Sequence, residues 1–102
     1  MESNPVTVRM ATATDLAAIA RVAERDSRPA PPGPHLVAER DGVVEAVLSL
    51  RTAAVVADPF RPTAELVELL RLRARSLRDR ERPRRARRIG VQLRHLGAGG
   101  RA

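Results

Sequence analysis

The sequence predicts a small α/β domain of the α+β type, with a mainly antiparallel four-stranded sheet, two main helices and a basic C-terminal tail. Three observations support this: short β-rich segments, two apolar stripes at helical spacing, and an Asp-Gly turn between two β-rich runs. The 102 residues suffice for one domain with a modest core. We expect the domain to cover residues 1–78 and residues 79–102 to form an Arg-rich, largely disordered tail.

The first strand is expected at residues 6–10, where β-branched residues alternate with others. Thr12, followed three residues later by Asp15, forms a variant capping box, which predicts a helix over residues 13–26. Four prolines within residues 29–34 then exclude both a helix and a central strand, so this segment is expected to be a stiff connector.

Asp41-Gly42 is the preferred two-residue hairpin turn, because both of its positions require a positive φ. It predicts a hairpin of residues 35–40 and 43–50. A regular register pairs Arg40 with Val43, Ala38 with Glu45, and Leu36 with Val47. The opposite face then carries Val37, Val44, Ala46, Leu48 and Leu50. Since both faces contain apolar residues, we expect helices on both sides of the sheet.

A further strand is expected at residues 54–57, before the second helix. Pro62 suits the first helical turn and Thr63 suits the N-cap, so this helix should begin near them. Its apolar stripe should comprise Leu66, Leu69, Leu70, Ala74 and Leu77. Pro83 should end the helix.

Composition excludes several classes of protein. There is no cysteine, hence no disulfide framework or thiolate metal site, and the two histidines, His35 and His95, lack metal-site spacing. No metal site is therefore expected. No apolar run approaches the ~20 residues of a transmembrane segment, and the N-terminus lacks the pattern of a signal peptide. We expect a cytoplasmic location.

Charge is distributed unevenly along the chain. All 19 basic residues are Arg; residues 1–70 hold 7 of them against 10 acidic residues, and residues 71–102 hold 12 against 2. The net charge thus changes from −3 to +10, which gives the total of +7. The use of Arg alone reflects either codon bias or a demand for guanidinium groups.

The basic run at residues 78–88 allows three interpretations. Arg84, Arg85, Arg87 and Arg88 could bind nucleic acid without sequence specificity by neutralising phosphates. A basic amphipathic helix over residues 89–96 could instead lie on an anionic membrane. The third interpretation is a solvated tail without a binding role. No aromatic residue lies between the arginines, so the run lacks side chains that could stack on bases.

The order of elements and several short motifs resemble the first half of the GNAT family of N-acetyltransferases. Residues 6–12 resemble its opening strand, usually I-R-x-A-T, and residues 36–44 its central hairpin. Residues 56–61, Val-Ala-Asp-Pro-Phe-Arg, resemble the V-x-P-x-Y/F-R that leads into its cofactor loop. The resemblance covers residues 5–77, and the residues after 78 do not resemble the second half of that fold.

The resemblance implies acetyl-CoA or CoA as the ligand, with Val56, Arg61, Thr63 and Ala64 as the cofactor-binding positions. It also implies a carboxylate or water relay that deprotonates an acceptor amine. The first candidate bases are Glu45 and Asp58, and the other two are Glu39 and His35. The residues themselves favour other roles: solvated strand positions for Glu39 and Glu45, a local turn hydrogen bond for Asp58 and a strand edge for His35.

The cofactor loop departs from the family pattern R/Q-x-x-G-x-G/A. Arg61 matches its first position, but Ala64 replaces the first glycine and Leu66 the last small residue. Pro62 removes one backbone N–H, and Glu65 adds a negative charge that suits a helix N-terminus without a phosphate. We therefore expect a GNAT-like binding module without efficient catalysis. Alternatives are a nucleic-acid-associated protein and a residual N-acyltransferase, and a homodimer is expected to cover the open sheet edge.

Overall fold

The computed structural model describes residues 5–80. The chain forms β1 (Val6–Met10), a 3-10 turn (Ala13–Asp15), α1 (Leu16–Arg25), β2 (His35–Arg40), β3 (Val43–Ser49) and β4 (Val55–Ala57). A second helix, α2, follows from residue 64 to residue 80. The four strands form one antiparallel sheet in the order β1-β2-β3-β4. The predicted fold class is confirmed.

Helix α1 begins where the sequence places its cap. The Asp15 carboxylate accepts a hydrogen bond from the backbone N–H of Thr12 at 2.7 Å, which satisfies a donor at the start of the helix. The first turn is a 3-10 turn, so regular α-helix runs over Leu16–Arg25 within the expected 13–26.

The Asp41-Gly42 turn is confirmed: Asp41 has φ 54° and Gly42 φ 81°. Arg40 pairs with Val43, as expected. The register then shifts between Ala38 and Glu39, because Glu45 is the extra residue of a β-bulge.

The bulge makes two of the expected pairs wrong. Ala38 lies opposite Ala46 rather than Glu45, and Leu36 lies opposite Leu48 rather than Val47. One unpaired residue moves every later residue of β3 by one position relative to β2, and so reverses the faces on which their side chains lie.

The sheet packs against one helix on each side, so two hydrophobic clusters lie on its two faces. The first belongs to α1 and contains Ile19, Val22, Ala23, Val37, Val44, Val47 and Val56. The second contains α2 residues and consists of Leu36, Ala38, Ala46, Leu48, Leu66, Leu70 and Ala74. The prediction that these strand residues share one face of the sheet is therefore wrong. Val37 and Val44 lie on the α1 side, whereas Ala46 and Leu48 lie on the α2 side.

Helix α2 starts at residue 64, directly after Thr63, whose carbonyl accepts a hydrogen bond from the N–H of Val67 at 2.9 Å. Leu66, Leu70 and Ala74 are buried against the sheet, whereas Leu69, expected in the same stripe, is 40% exposed. The helix continues through residue 80, two residues past the expected domain boundary, and Pro83 lies outside the described residues. None of the helical residues within 5–80 forms a segment long and apolar enough to cross a bilayer.

Candidate functional site

The candidate cofactor residues lie around one junction, the connection between β4 and α2. Val56 is in the middle of β4, buried in the cluster beneath α1. Arg61 lies in the connecting loop, Thr63 immediately before α2, and Ala64 at its first residue. The four positions that the resemblance implies therefore lie in one continuous strand–loop–helix connection. The side chain of Val56, however, belongs to the core.

Glu45, the bulged residue of β3, is an internal counter-ion at this junction. It is only 3% exposed, so the expectation of a solvated strand residue is wrong. Its Oε2 accepts a hydrogen bond from Nε of Arg61 at 3.1 Å. Its Oε1 is 3.2 Å from Nη1 of Arg40, an ion-pair distance without hydrogen-bond alignment, and has no hydrogen-bond donor among the described residues.

Arg40 connects this ion cluster to the start of α2. Its side chain is largely buried, and Nη2 donates a hydrogen bond to the carbonyl of Pro62 at 3.0 Å. The carbonyl of Glu45 accepts a hydrogen bond from the N–H of Asp58 at 2.9 Å. One bulged residue thus contacts the β4–α2 loop at two positions, through its side chain at Arg61 and through its backbone at Asp58.

Asp58, the other candidate base, is also 3% exposed. Its Oδ1 accepts a hydrogen bond from the N–H of Phe60 at 2.9 Å, and its Oδ2 pairs with Nη1 of Arg25 at 2.8 Å. The expected local turn hydrogen bond is confirmed. Burial favours a higher pKa for Asp58, but the Phe60 N–H and the Arg25 guanidinium outweigh it, so the pKa is lowered.

Glu39 and His35, the remaining candidate bases, also have structural partners. Glu39 pairs with Nη2 of Arg9 at 2.8 Å, and Arg9 also binds both carboxylate oxygens of Asp15, at 2.8 and 3.0 Å. The hydrogen bonds to Asp15 and Glu39 raise the pKa of Arg9. The hydrogen bonds from Arg9 and from the Thr12 N–H lower the pKa of Asp15. His35 begins β2, and its Nε2 lies 2.7 Å from the carbonyl oxygen of Pro31.

The arrangement limits what these groups can do chemically. A general base needs a free lone pair near the substrate proton. Glu45 would have to leave two guanidinium groups to act as one, and Asp58 is a weak base because its pKa is lowered. Arg61 is different, since its side chain is half exposed and only its Nε is engaged within the described residues.

Sequence reasoning missed Arg40 and Arg25, the cations that pair with the buried carboxylates of Glu45 and Asp58. One signal was present: Glu45 is the only charged residue within 43–50, where Ser49 is the only other polar residue. Such a residue is buried only with a partner. The four tail residues Arg84, Arg85, Arg87 and Arg88, with His95, lie outside the described residues.

No group of three or more His, Asp or Glu side chains that could hold a metal ion occurs within residues 5–80. Comparisons of the chain with protein-family models, with curated proteins and with solved structures found no match. The GNAT resemblance therefore depends on the order of elements and on the short motifs named above.

Proposed function

We propose that this chain is a non-catalytic binding module of GNAT-like architecture. The observation that supports it most is the contact between Glu45 and Arg61. In the resemblance, Arg61 opens the loop that would bind the cofactor pyrophosphate. Here the internal carboxylate of Glu45 accepts a hydrogen bond from Nε of Arg61. The protein itself therefore supplies the anion for this arginine.

The surrounding groups support the same proposal. A pyrophosphate at this junction would lie near the buried charge of Glu45 and the first-turn carboxylate of Glu65, and like charges at short range repel. Pro62 offers no N–H to a phosphate oxygen. Glu45 and Asp58, the first two candidate bases, are held in ion pairs. The junction has the components of a structural connection between β4 and α2.

A calorimetric titration with acetyl-CoA and with CoA tests this proposal. We expect no binding tighter than millimolar by the wild-type chain. Arg61→Ala should behave like the wild type, and Arg51→Ala, at an exposed arginine in another loop, serves as the control. A micromolar dissociation constant that is lost in Arg61→Ala alone would overturn the proposal and support an acyltransferase.

Nucleic-acid binding is the second candidate function, and α2 provides a specific observation in its favour. From residue 71 onward it carries five exposed arginines: Arg71, Arg73, Arg75, Arg78 and Arg80. With the four arginines of residues 84–88 they form a dense basic segment, and the affinity of such a segment for a duplex is a sum over phosphate contacts.

Titration of two unrelated DNA duplexes at two salt concentrations tests this candidate. Binding should weaken steeply with salt and show little sequence preference. Replacing Arg84, Arg85, Arg87 and Arg88 by Gln should reduce the affinity at least tenfold, whereas Gln at the exposed Arg28 and Arg51 should have a small effect. Equal affinity of both variants, or no binding at low salt, would remove this candidate.

A further inference from the structure

Helix α2 has a second apolar stripe that faces away from the sheet. Leu69 and Leu72 are 40% and 55% exposed, whereas Leu66, Leu70 and Ala74 of the same helix are buried. Glu65 and Ser76 are also exposed, and the spacing of 65, 69, 72 and 76 places all four side chains on one face. Alternating steps of four and three residues are the pattern of a helix that pairs with another helix.

The net charge changes sign along α2. Its first two turns carry the acidic residues Glu65 and Glu68, whereas residues 71–80 carry five arginines and one acidic residue, Asp79, a net charge of +4. Two parallel copies of this helix would place arginines level with arginines. Two antiparallel copies would place the acidic end of each helix beside the basic end of the other. The helix is therefore complementary in charge to itself in one orientation only.

We propose that α2 pairs antiparallel with α2 of a second copy of this chain, across Leu69 and Leu72. Leu69 of one copy then lies level with Leu72 of the other, and Glu65 lies level with Ser76. The symmetry repeats each contact, so four leucines form the centre of the interface and polar residues close its ends.

The same alignment forms two ion pairs at the rim. Glu68 and Arg75 flank the apolar stripe on the same side, and like flanks meet when two helices pair antiparallel. Glu68 of each copy therefore meets Arg75 of the other. Within one chain Glu68 pairs only loosely with Arg71, at 3.6 Å with both side chains more than half exposed. Little is lost when Glu68 changes partner.

A second copy fits this face better than a polyanion or an anionic membrane does. Either of those would meet the carboxylates of Glu65 and Glu68, and a nucleic acid would leave both leucines in contact with water. This inference rests on the proposed function as a binding module, and it identifies the partner as a second copy of the chain. It can fail independently, because the acetyl-CoA titration measures the β4–α2 junction and not the outer face of α2.

Sedimentation equilibrium of the full chain tests the pairing. The wild type should form a dimer at high micromolar concentration, since an interface of four leucines is smaller than a standard one of ~1,600 Å². Leu69→Glu and Leu72→Glu should each give a monomer. Val43→Glu and Phe60→Glu, at exposed apolar residues outside α2, should leave the dimer intact. A monomeric wild type, or a dimer unaffected by both leucine variants, would overturn the proposal.

A charge exchange tests the pairing without touching apolar residues, so that loss of folding cannot explain the result. Glu68→Arg and Arg75→Glu should each weaken the dimer several-fold, because each creates two like-charge contacts. The double variant should restore the wild-type dissociation constant. Additive weakening in the double variant would contradict the proposed contact between Glu68 and Arg75.

Cross-linking determines the orientation, because the chain has no cysteine of its own. An oxidised mixture of Glu65→Cys and Ser76→Cys chains should form a disulfide between the two different chains. Each variant alone should form little, since like positions are about 16 Å apart along the helix axis. Efficient self-linking of Ser76→Cys would indicate parallel helices and overturn the proposal.

Discussion

Glu45 and Asp58 are buried to the same extent, yet their environments differ in kind. The Asp58 carboxylate is satisfied on both oxygens, partly by an N–H two residues away in the chain. Among the described residues the Glu45 carboxylate is paired only with the side chains of Arg40 and Arg61, and one of its oxygens has no aligned donor there. Asp58 stabilises a turn, whereas Glu45 connects the bulge of β3 to the start of α2.

The fold is most sensitive to a change of charge at a buried carboxylate whose partners are all side chains. A carboxylate that local backbone can satisfy tolerates the loss of its cationic partner. A buried carboxylate between two guanidinium groups does not tolerate such a loss. Removing one member of a buried ion pair leaves the other unpaired in a region from which water is excluded.

The largest effect is expected from Glu45→Ala, which leaves the largely buried Arg40 without its counter-ion. We expect the free energy of unfolding to fall by about 3–5 kcal/mol, the usual cost of breaking a buried ion pair. Urea denaturation of the variant and the wild type measures this. Glu65→Ala, at an exposed carboxylate, is the control and should change stability little. A loss below about 1 kcal/mol would show that Glu45 is not a buried counter-ion.

A smaller effect is expected from Asp58→Asn. The amide oxygen can still accept the hydrogen bond from Phe60, and only the pair with the half-exposed Arg25 loses its charge. The expected loss is about 1 kcal/mol, and Asp58→Ala, which removes both contacts, should lose about twice as much. If Asp58→Asn proved as costly as Glu45→Ala, the contrast between the two carboxylates would be wrong.

The pH dependence of stability depends on the carboxylates whose pKa is lowered by folding. Folding lowers the pKa of Asp58 and of Asp15, so the unfolded chain binds their protons more readily. The stability that these groups contribute is fully present above the unfolded pKa of about 4 and is lost as the pH falls below it. Unfolding free energies measured between pH 2 and 6 should therefore decrease toward acid. The slope should be shallower in Asp58→Asn and in Asp15→Asn, and an unchanged slope in both would contradict the pKa directions.

Local chemistry explains which parts of the fold were predictable from the sequence. The Asp41-Gly42 turn, the cap at Asp15 and the turn at Asp58 each depend on residues at most three positions apart. Their backbone requirements are therefore visible in a short window of sequence. The start of α2 after Thr63 belongs to the same group.

The register of β3 was not predictable, because both faces of that strand are apolar. Val44, Ala46, Val47 and Leu48 fit either face, so no alternation marks the position at which the phase changes. The bulged Glu45 contacts Arg40 and Arg61, and Arg61 is 16 residues away in the chain. The site was predictable as a loop with an arginine, but its internal anion was not.

A double-mutant cycle between Glu45 and Arg61 measures whether Glu45 serves as the anion for Arg61. Unfolding free energies of the wild type, Glu45→Gln, Arg61→Ala and the double variant give the coupling energy. We expect about 1 kcal/mol, because Glu45 is buried whereas Arg61 is half exposed. A coupling energy of zero would mean that Glu45 does not hold Arg61 and does not serve as its anion.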